Sequence, residues 1–319
     1  MAAVSKLKFG IMPTSVLPLI LCVGCISNKN SMPTNFIPLK PAITASVDGI
    51  DINYTENVTS NASPTIVLIH GFGASLETWN DLYPLLCSNY SVVRMDLKGS
   101  GFSSKPKDGK YAPADQAHLL IRFLNEIGQT NVVLVGYSLG GGVALLTYFD
   151  TLLPTRKINV KGLVLFDSAG YLQKLPFFVE SVRNPFTRMI SYLMSPYSRA
   201  EFVLKRIMKV QNRITPDRIH RYSYFLDLPG SRYALLQTAK QIVPRNISEF
   251  SRKFHSITAP TLILWGADDP VIPVENAYRF NKDIPNSQLV VLPETGHIPH
   301  EERPTETFRA VDQFMRTLK

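Results

Sequence analysis

Cysteine is scarce in this 319-residue chain, with Cys22, Cys25 and Cys87 the only three. Two of them sit together near the N-terminus, so a disulfide-stapled scaffold is excluded and Cys87 is left alone as a small packing residue. The apolar stretch 9–23 is interrupted by Pro13 and Pro18, and it falls short of the ~20 residues that a spanning helix needs. Zinc-ligand spacing, a phosphate-binding glycine loop and nucleic-acid motifs are all missing. No metal, no cofactor and no nucleic-acid partner is therefore expected, despite a net charge of +9. The chain is 45% hydrophobic and 18% charged, an ordinary globular balance, and it is long enough for one large core with an insertion.

The stretch that organises the rest is 132–142. Val132-Val133-Leu134-Val135 reads as a buried strand. Gly136-Tyr137-Ser138-Leu139-Gly140 follows, and then the helix-like Val143-Ala144-Leu145-Leu146. Strand, Gly-x-Ser-x-Gly turn and helix are the context of a nucleophile elbow. The two glycines let strand and helix close around Ser138, and the helix start aims N–H groups at any anion formed there.

Lys6 and Lys8 precede the apolar stretch 9–23, which reads as a secretory signal. It ends in Leu21-Cys22-Val23-Gly24-Cys25. This resembles a bacterial lipobox, although the family usually has leucine where Cys22 stands. The resemblance implies a signal peptide over 1–24, with Cys25 the lipidated first residue of the mature chain. It further implies a lipid-anchored place in the cell envelope, at the bacterial outer membrane, with the periplasm or medium as the alternative. Residues 25–42 read as a tether. Asn53, Asn57, Asn61 and Asn246 each begin a glycosylation sequon, which carries meaning only in a eukaryotic secreted protein.

From residue 43 onward strands and helices alternate. A hairpin turns at Asp48-Gly49, and strands are expected at 65–69, 91–95, 132–135, 161–166, 261–265 and 288–292. Helices are expected over 76–86, 113–127, 274–281 and 304–318. Such alternation predicts a mostly parallel sheet covered on both faces. Several motifs recur in order: His70-Gly71-Phe72-Gly73, Asp96-x-x-Gly99-x-Gly101-x-Ser103, the Ser138 pentapeptide, Trp265-Gly266-x-x-Asp269-x-x-x-Pro273 and Gly296-His297. Together they resemble the α/β-hydrolase superfamily over 43–319. The departure is Lys98, where that family usually carries arginine.

A serine hydroxyl needs a base in reach, and the base needs an orienting carboxylate. The resemblance implies the chain order nucleophile, acid, histidine. Ser138 is then the nucleophile and His297 the base, with His300 a bystander. Asp269 is the acid, with Asp268 and Asp167 as rivals. The same resemblance assigns the oxyanion hole to the backbone N–H groups of Phe72 and Leu139.

Residues 171–251 do not fit the sheet pattern. They read as five helices, resemble a hydrolase cap, and divide the core into 43–170 and 252–319. This insertion holds 13 Lys and Arg against 5 Asp and Glu, a surplus suited to a solubilising face or to an anionic membrane. Its apolar runs 175–179 and 189–194 suit core packing and a hydrophobic substrate channel alike. The expected activity is hydrolysis of carboxylic esters with an apolar acyl chain, small-molecule or lipid. The alternatives are a carbon–carbon bond hydrolase of ring-cleavage products and a non-catalytic binding protein on the same scaffold. Ring-cleavage relatives commonly carry tryptophan after the histidine, where this chain has Ile298.

Overall fold

The structure, a computed structural model, describes residues 42–59, 64–152 and 157–318. The signal segment, Cys25, the tether up to residue 41 and the sequon at Asn61 lie outside these residues. Among the described residues no helix is long and apolar enough to cross a membrane.

Eight strands form one sheet: β1 Ile43–Val47, β2 Ile50–Asn57, β3 Thr65–Ile69, β4 Val92–Met95, β5 Asn131–Tyr137, β6 Asn159–Phe166, β7 Thr261–Gly266 and β8 Ser287–Leu292. Their spatial order is β1-β2-β4-β3-β5-β6-β7-β8. The pairs β1–β2 and β2–β4 are antiparallel, and all others are parallel. Every residue of β3 and β7 is buried, as expected where helices cover both faces. The β1–β2 turn places Asp48 and Gly49 at φ 51° and 76°, the left-handed pair that a tight hairpin requires.

Six helices fill the crossover between β6 and β7: Phe177–Arg183, Pro185–Ser191, Pro196–Ile207, Pro216–Tyr224, Ser231–Gln241 and Ile247–Arg252. Three of them start on the same local signal. Asn184, Ser195 and Thr215 each accept a backbone N–H from the following first turn, and each precedes a proline at the first helical position. The cap satisfies an orphan donor, and the proline has no N–H to leave unsatisfied.

Two sequence expectations fail: the insertion carries a sixth helix, Ile247–Arg252, where five are expected, and no continuous helix runs over 76–86. Residues 76–86 are not a single helix but a 3₁₀ turn, Leu76–Trp79, and a short helix, Tyr83–Cys87. Pro84 has no N–H to return to the carbonyl four residues back, so a continuous helix is broken there. The 3₁₀ turn is held from elsewhere: Leu76 donates its N–H to Asp96 Oδ1 at 2.7 Å.

Parallel strands bring their C-terminal ends to one edge of the sheet. His70 follows β3, Ser138 follows β5, Asp167 follows β6, and the segments carrying Asp269 and His297 follow β7 and β8. Ligand sites of open α/β sheets form outside this edge.

Candidate active site

Ser138 stands between β5 and the helix Leu139–Thr151 with φ 53° and ψ −118°. A non-glycine residue there is strained, and the surroundings enforce the strain. A Cβ on Gly136 would lie 2.4 Å from the Gly140 carbonyl oxygen, and one on Gly140 would lie 2.1 Å from that of Ile69. Neither position has room for a side chain, so strand and helix meet at glycine contact.

His297 Nε2 lies 3.1 Å from Ser138 Oγ, and His297 Nδ1 lies 2.8 Å from Asp269 Oδ2. The other carboxylate oxygen, Asp269 Oδ1, accepts the N–H groups of Val271 at 2.7 Å and Ile272 at 3.1 Å. Both oxygens are thus engaged, and the carboxylate cannot rotate without losing partners. Serine, histidine and aspartate come from three different loops, and they are the three residues that the sequence motifs single out.

The rivals fall elsewhere. Asp268 is exposed and sits 3.8 Å from Lys209 Nζ. His300 is fully buried, lies 2.9 Å from Thr78 Oγ1 and stacks on Trp79 at 4.3 Å. Burial, Arg218 and His297 hold its pKa well below the usual histidine value. Asp167 is fully buried at φ 42°, and its Oδ1 accepts the Gly266 N–H at 3.0 Å. Its Oδ2 has no hydrogen-bond partner. Burial first, then the Asp269 carboxylate, push its pKa well above the carboxylate range.

Among the described residues, Asp167, Asp269 and His297 place potential ligand atoms within 4.8 Å of one another. Two of the three are hydrogen-bonded to each other, and the carboxylates hold backbone N–H groups. This donor set is spent on hydrogen bonds within the protein rather than arranged around a cation.

Two carboxylates that no sequence motif marks position the histidine loop. Glu302 Oε2 accepts the N–H groups of Lys209, Val210 and Gly296 at 2.7, 2.9 and 3.1 Å, and its Oε1 accepts that of Ile298 at 3.2 Å. The His297 N–H donates to the Ile207 carbonyl at 2.8 Å. Next to it, buried Glu301 receives Thr78 Oγ1 and Tyr222 Oη, each at 2.5 Å, and pairs with Arg218 at 2.7 Å. Arg218 also contacts Asp81. Inserted helices and core loop are thereby tied together beside His297. The one signal in the sequence is an acidic pair within five residues of His297, but acidic pairs are usually solvated.

The other motifs are structural. His70 is fully buried between the Gly71 carbonyl and the Leu97 N–H, and burial lowers its pKa. Asp96 gathers Leu76 N–H, Phe102 N–H and Asn53 Nδ2, and a Cβ on Gly101 would strike its carboxylate at 1.9 Å. Lys98 reaches Asp108 at 2.6 Å and the Lys110 carbonyl at 2.9 Å. Asn53 is buried with its amide on Asp96, so its sequon is closed to a glycan in the folded protein. Cys87 is half-buried against the core.

Ser138 and His297 open into a cavity of about 340 Å³. Its walls include Phe177, Phe178, Ile190, Tyr192, Phe202 and Leu226. A second space of about 80 Å³ also reaches Ser138 and is lined by Leu139, Pro176 and Val271. Phe72 and Phe178 line both spaces and stack at 6.1 Å. Leu139 is the first residue of its helix, so its N–H has no partner within the helix.

Residues 64–304 match the α/β hydrolase fold family. The chain belongs to that family, and its eight-stranded sheet is the family's sheet. It is 29% identical over 275 residues to 2-hydroxy-6-oxo-6-(2'-aminophenyl)hexa-2,4-dienoic acid hydrolase of Metapseudomonas resinovorans, covering 84% of this chain and 88% of that one. It is 25% identical over 324 residues to Lipase 3 of a Moraxella species, covering 93% and 95%. The crystal structure of a putative lipase from Acinetobacter baumannii superposes with a TM-score of 0.72 at 26% identity, covering 86% of this chain and 91% of that one. The protein is a hydrolase of this fold.

Proposed function

We propose that the protein is a serine hydrolase of carboxylic esters with one long apolar arm. The observation that carries this reading is the hydrogen-bonded chain Ser138–His297–Asp269 opening into an apolar cavity of about 340 Å³. His297 Nε2 takes the proton of Ser138 as Oγ bonds to the ester carbonyl carbon. The Leu139 and Phe72 N–H groups receive the oxyanion. Asp269 keeps the proton of His297 on Nδ1 and stabilises the imidazolium. His297 then protonates the departing alkoxide, leaving an acyl-enzyme. A water molecule repeats the sequence, releasing the acid and restoring Ser138.

A methylene fills about the space of a water molecule in the liquid, roughly 30 Å³. The large cavity therefore holds an arm of about ten carbons, and the small one holds two or three heavy atoms. A fluorophosphonate probe should label wild type and leave Ser138→Ala unlabelled. Rates on p-nitrophenyl esters should climb with chain length to about ten carbons and fall beyond. Absence of labelling would leave a binding protein on this scaffold.

One observation favours a second reading. Arg188, Arg199 and Arg232 line the large cavity, and a carboxylate-bearing ring-cleavage product would find cations there. Turnover of a 2-hydroxy-6-oxo-dienoate above that of every ester would select carbon–carbon bond hydrolysis.

We place the enzyme at the cell envelope, tethered through a lipid on Cys25. The basic start, the apolar stretch 9–23 and Gly24-Cys25 support this. Several acyl chains on one cysteine hold a protein firmly, whereas a single chain does not. Cys25→Ala should move ester hydrolysis from pelleted membranes to the supernatant. A wild type already soluble in periplasm or medium would refute the anchor and leave the chemistry standing.

A further inference from the structure

The described residues include fourteen exposed large hydrophobic side chains, and eight of them fall within residues 177–202. Elsewhere such residues are scattered singly, which needs no explanation; a cluster does. The helix Pro185–Ser191 has no buried residue at all. Its outer side carries Phe186 and Met189, 66% and 60% exposed, and the turn after it carries Leu193, 85% exposed. None of these three lines the cavity, whereas their neighbours Arg188, Ile190, Tyr192 and Met194 do. One short segment thus presents an apolar outside and forms the wall of the space that ends at Ser138.

The segment that carries this patch is cationic. Residues 177–206 hold five Lys and Arg against two Glu. Arg199 and Arg232 share the single carboxylate of Asp227, at 3.1 and 3.0 Å, which leaves that cluster positive. Two copies of this face would set like charges against each other and close the cavity wall. An anionic bilayer meets both features, because apolar side chains enter the acyl boundary while cations meet headgroups.

We propose that the face formed by Phe186, Met189 and Leu193 docks onto an anionic lipid bilayer, so that esters held there reach Ser138 through the adjoining cavity. The delivery clause rests on the ester reading above; the docking clause does not.

Trp79 and Trp265 are fully buried, so an added tryptophan reports its own surroundings. Leu193→Trp in the full-length protein is mixed with phosphatidylglycerol vesicles carrying brominated acyl chains. Its emission should shift to the blue and be quenched, and less so with phosphatidylcholine vesicles. Tyr278→Trp, at another exposed site, should stay unquenched. A tether alone would bind vesicles and leave position 193 unquenched. That result, or equal quenching at 278, overturns the proposal.

The triple variant Phe186→Ser, Met189→Ser, Leu193→Ser supplies the second arm. It should hydrolyse soluble p-nitrophenyl butyrate within about twofold of wild type, and a long-chain ester embedded in anionic vesicles at least about tenfold more slowly. Equal loss on both substrates, or on neither, refutes delivery. A wild-type dimer that the triple variant splits assigns the face to a second copy and overturns docking. Failure of wild type on every ester sinks the ester reading, while quenching at position 193 still decides the docking.

Discussion

Replacing Asp269 by asparagine changes one atom and should cost about four orders of magnitude in kcat. In the native site Oδ1 accepts two backbone N–H groups, from Val271 and Ile272, while Oδ2 faces His297 Nδ1 at 2.8 Å. An amide at this position has one acceptor and one donor. Turning its NH₂ toward two backbone donors would leave both unsatisfied, so the oxygen takes the Oδ1 place. The NH₂ then faces His297 Nδ1 and forces that nitrogen to accept. The imidazole proton moves to Nε2, 3.1 Å from Ser138 Oγ, where it blocks proton abstraction. The wrong tautomer has a measured precedent in another triad, at about 10⁴-fold in kcat. That corresponds to about 5.4 kcal/mol of barrier. The measurement is kcat on p-nitrophenyl butyrate at pH 8, with folding followed by circular dichroism. Asp268→Asn is the internal comparison: its carboxylate is exposed and faces Lys209 at 3.8 Å, and it should stay within about twofold. An Asp269→Asn enzyme within tenfold of wild type, or a larger loss at Asp268, would refute this assignment.

Three further outcomes are expected. Glu302→Gln places an NH₂ among four backbone donors now held by a carboxylate; kcat should fall about ten- to hundredfold through a displaced His297, and unchanged kinetics with unchanged stability would show the loop is held otherwise. Asp167 has its folded pKa raised, so the native state keeps a proton that the unfolded chain releases near pH 4. Its contribution to stability is therefore lost as pH rises above about 4 toward the folded value. Asp167→Asn, which has no proton to lose, should gain in melting temperature over wild type between pH 4 and 8; a constant difference would mean that burial and Asp269 do not raise the Asp167 pKa. Gly140→Ala drives a Cβ to 2.1 Å from the Ile69 carbonyl oxygen, whereas Gly142→Ala meets nothing nearer than 3.5 Å. Urea unfolding should show the first variant destabilised by about 3 kcal/mol or more and the second unchanged or up to about 1 kcal/mol more stable. Equal effects would mean that the elbow can give way.

Local signals account for much of what the chain alone makes legible. The alternation of apolar strands and helices, Asp48-Gly49 at the hairpin, and Asn184, Ser195 and Thr215 before proline are all decided within a few residues. The same holds for Gly136 and Gly140 around Ser138, since a tight strand–turn–helix leaves no room for a Cβ. Ser138, Asp269 and His297 are readable because each sits in its own short motif after a strand. The parallel sheet then brings such strand ends to one edge.

The features that local patterns hide depend on partners far away in the chain. Residues 76–86 carry helical periodicity, yet the split at Pro84 is stabilised by Asp96, twenty residues from Leu76. Asn53 reads as a glycan acceptor until Asp96 closes over it. The motif marks His297 but does not say what His300 does; burial against Trp79 and a bond to Thr78, 222 positions away, supply that. Glu302 holds inserted backbone 92 and 93 positions distant, which no local pattern encodes. Periodicity likewise marks 189–194 as apolar without saying which side chains face the cavity and which face outward. Propensity and sterics act over a few residues and are written in the sequence, while burial and pairing are set by what the fold brings near, and so belong to the tertiary structure alone.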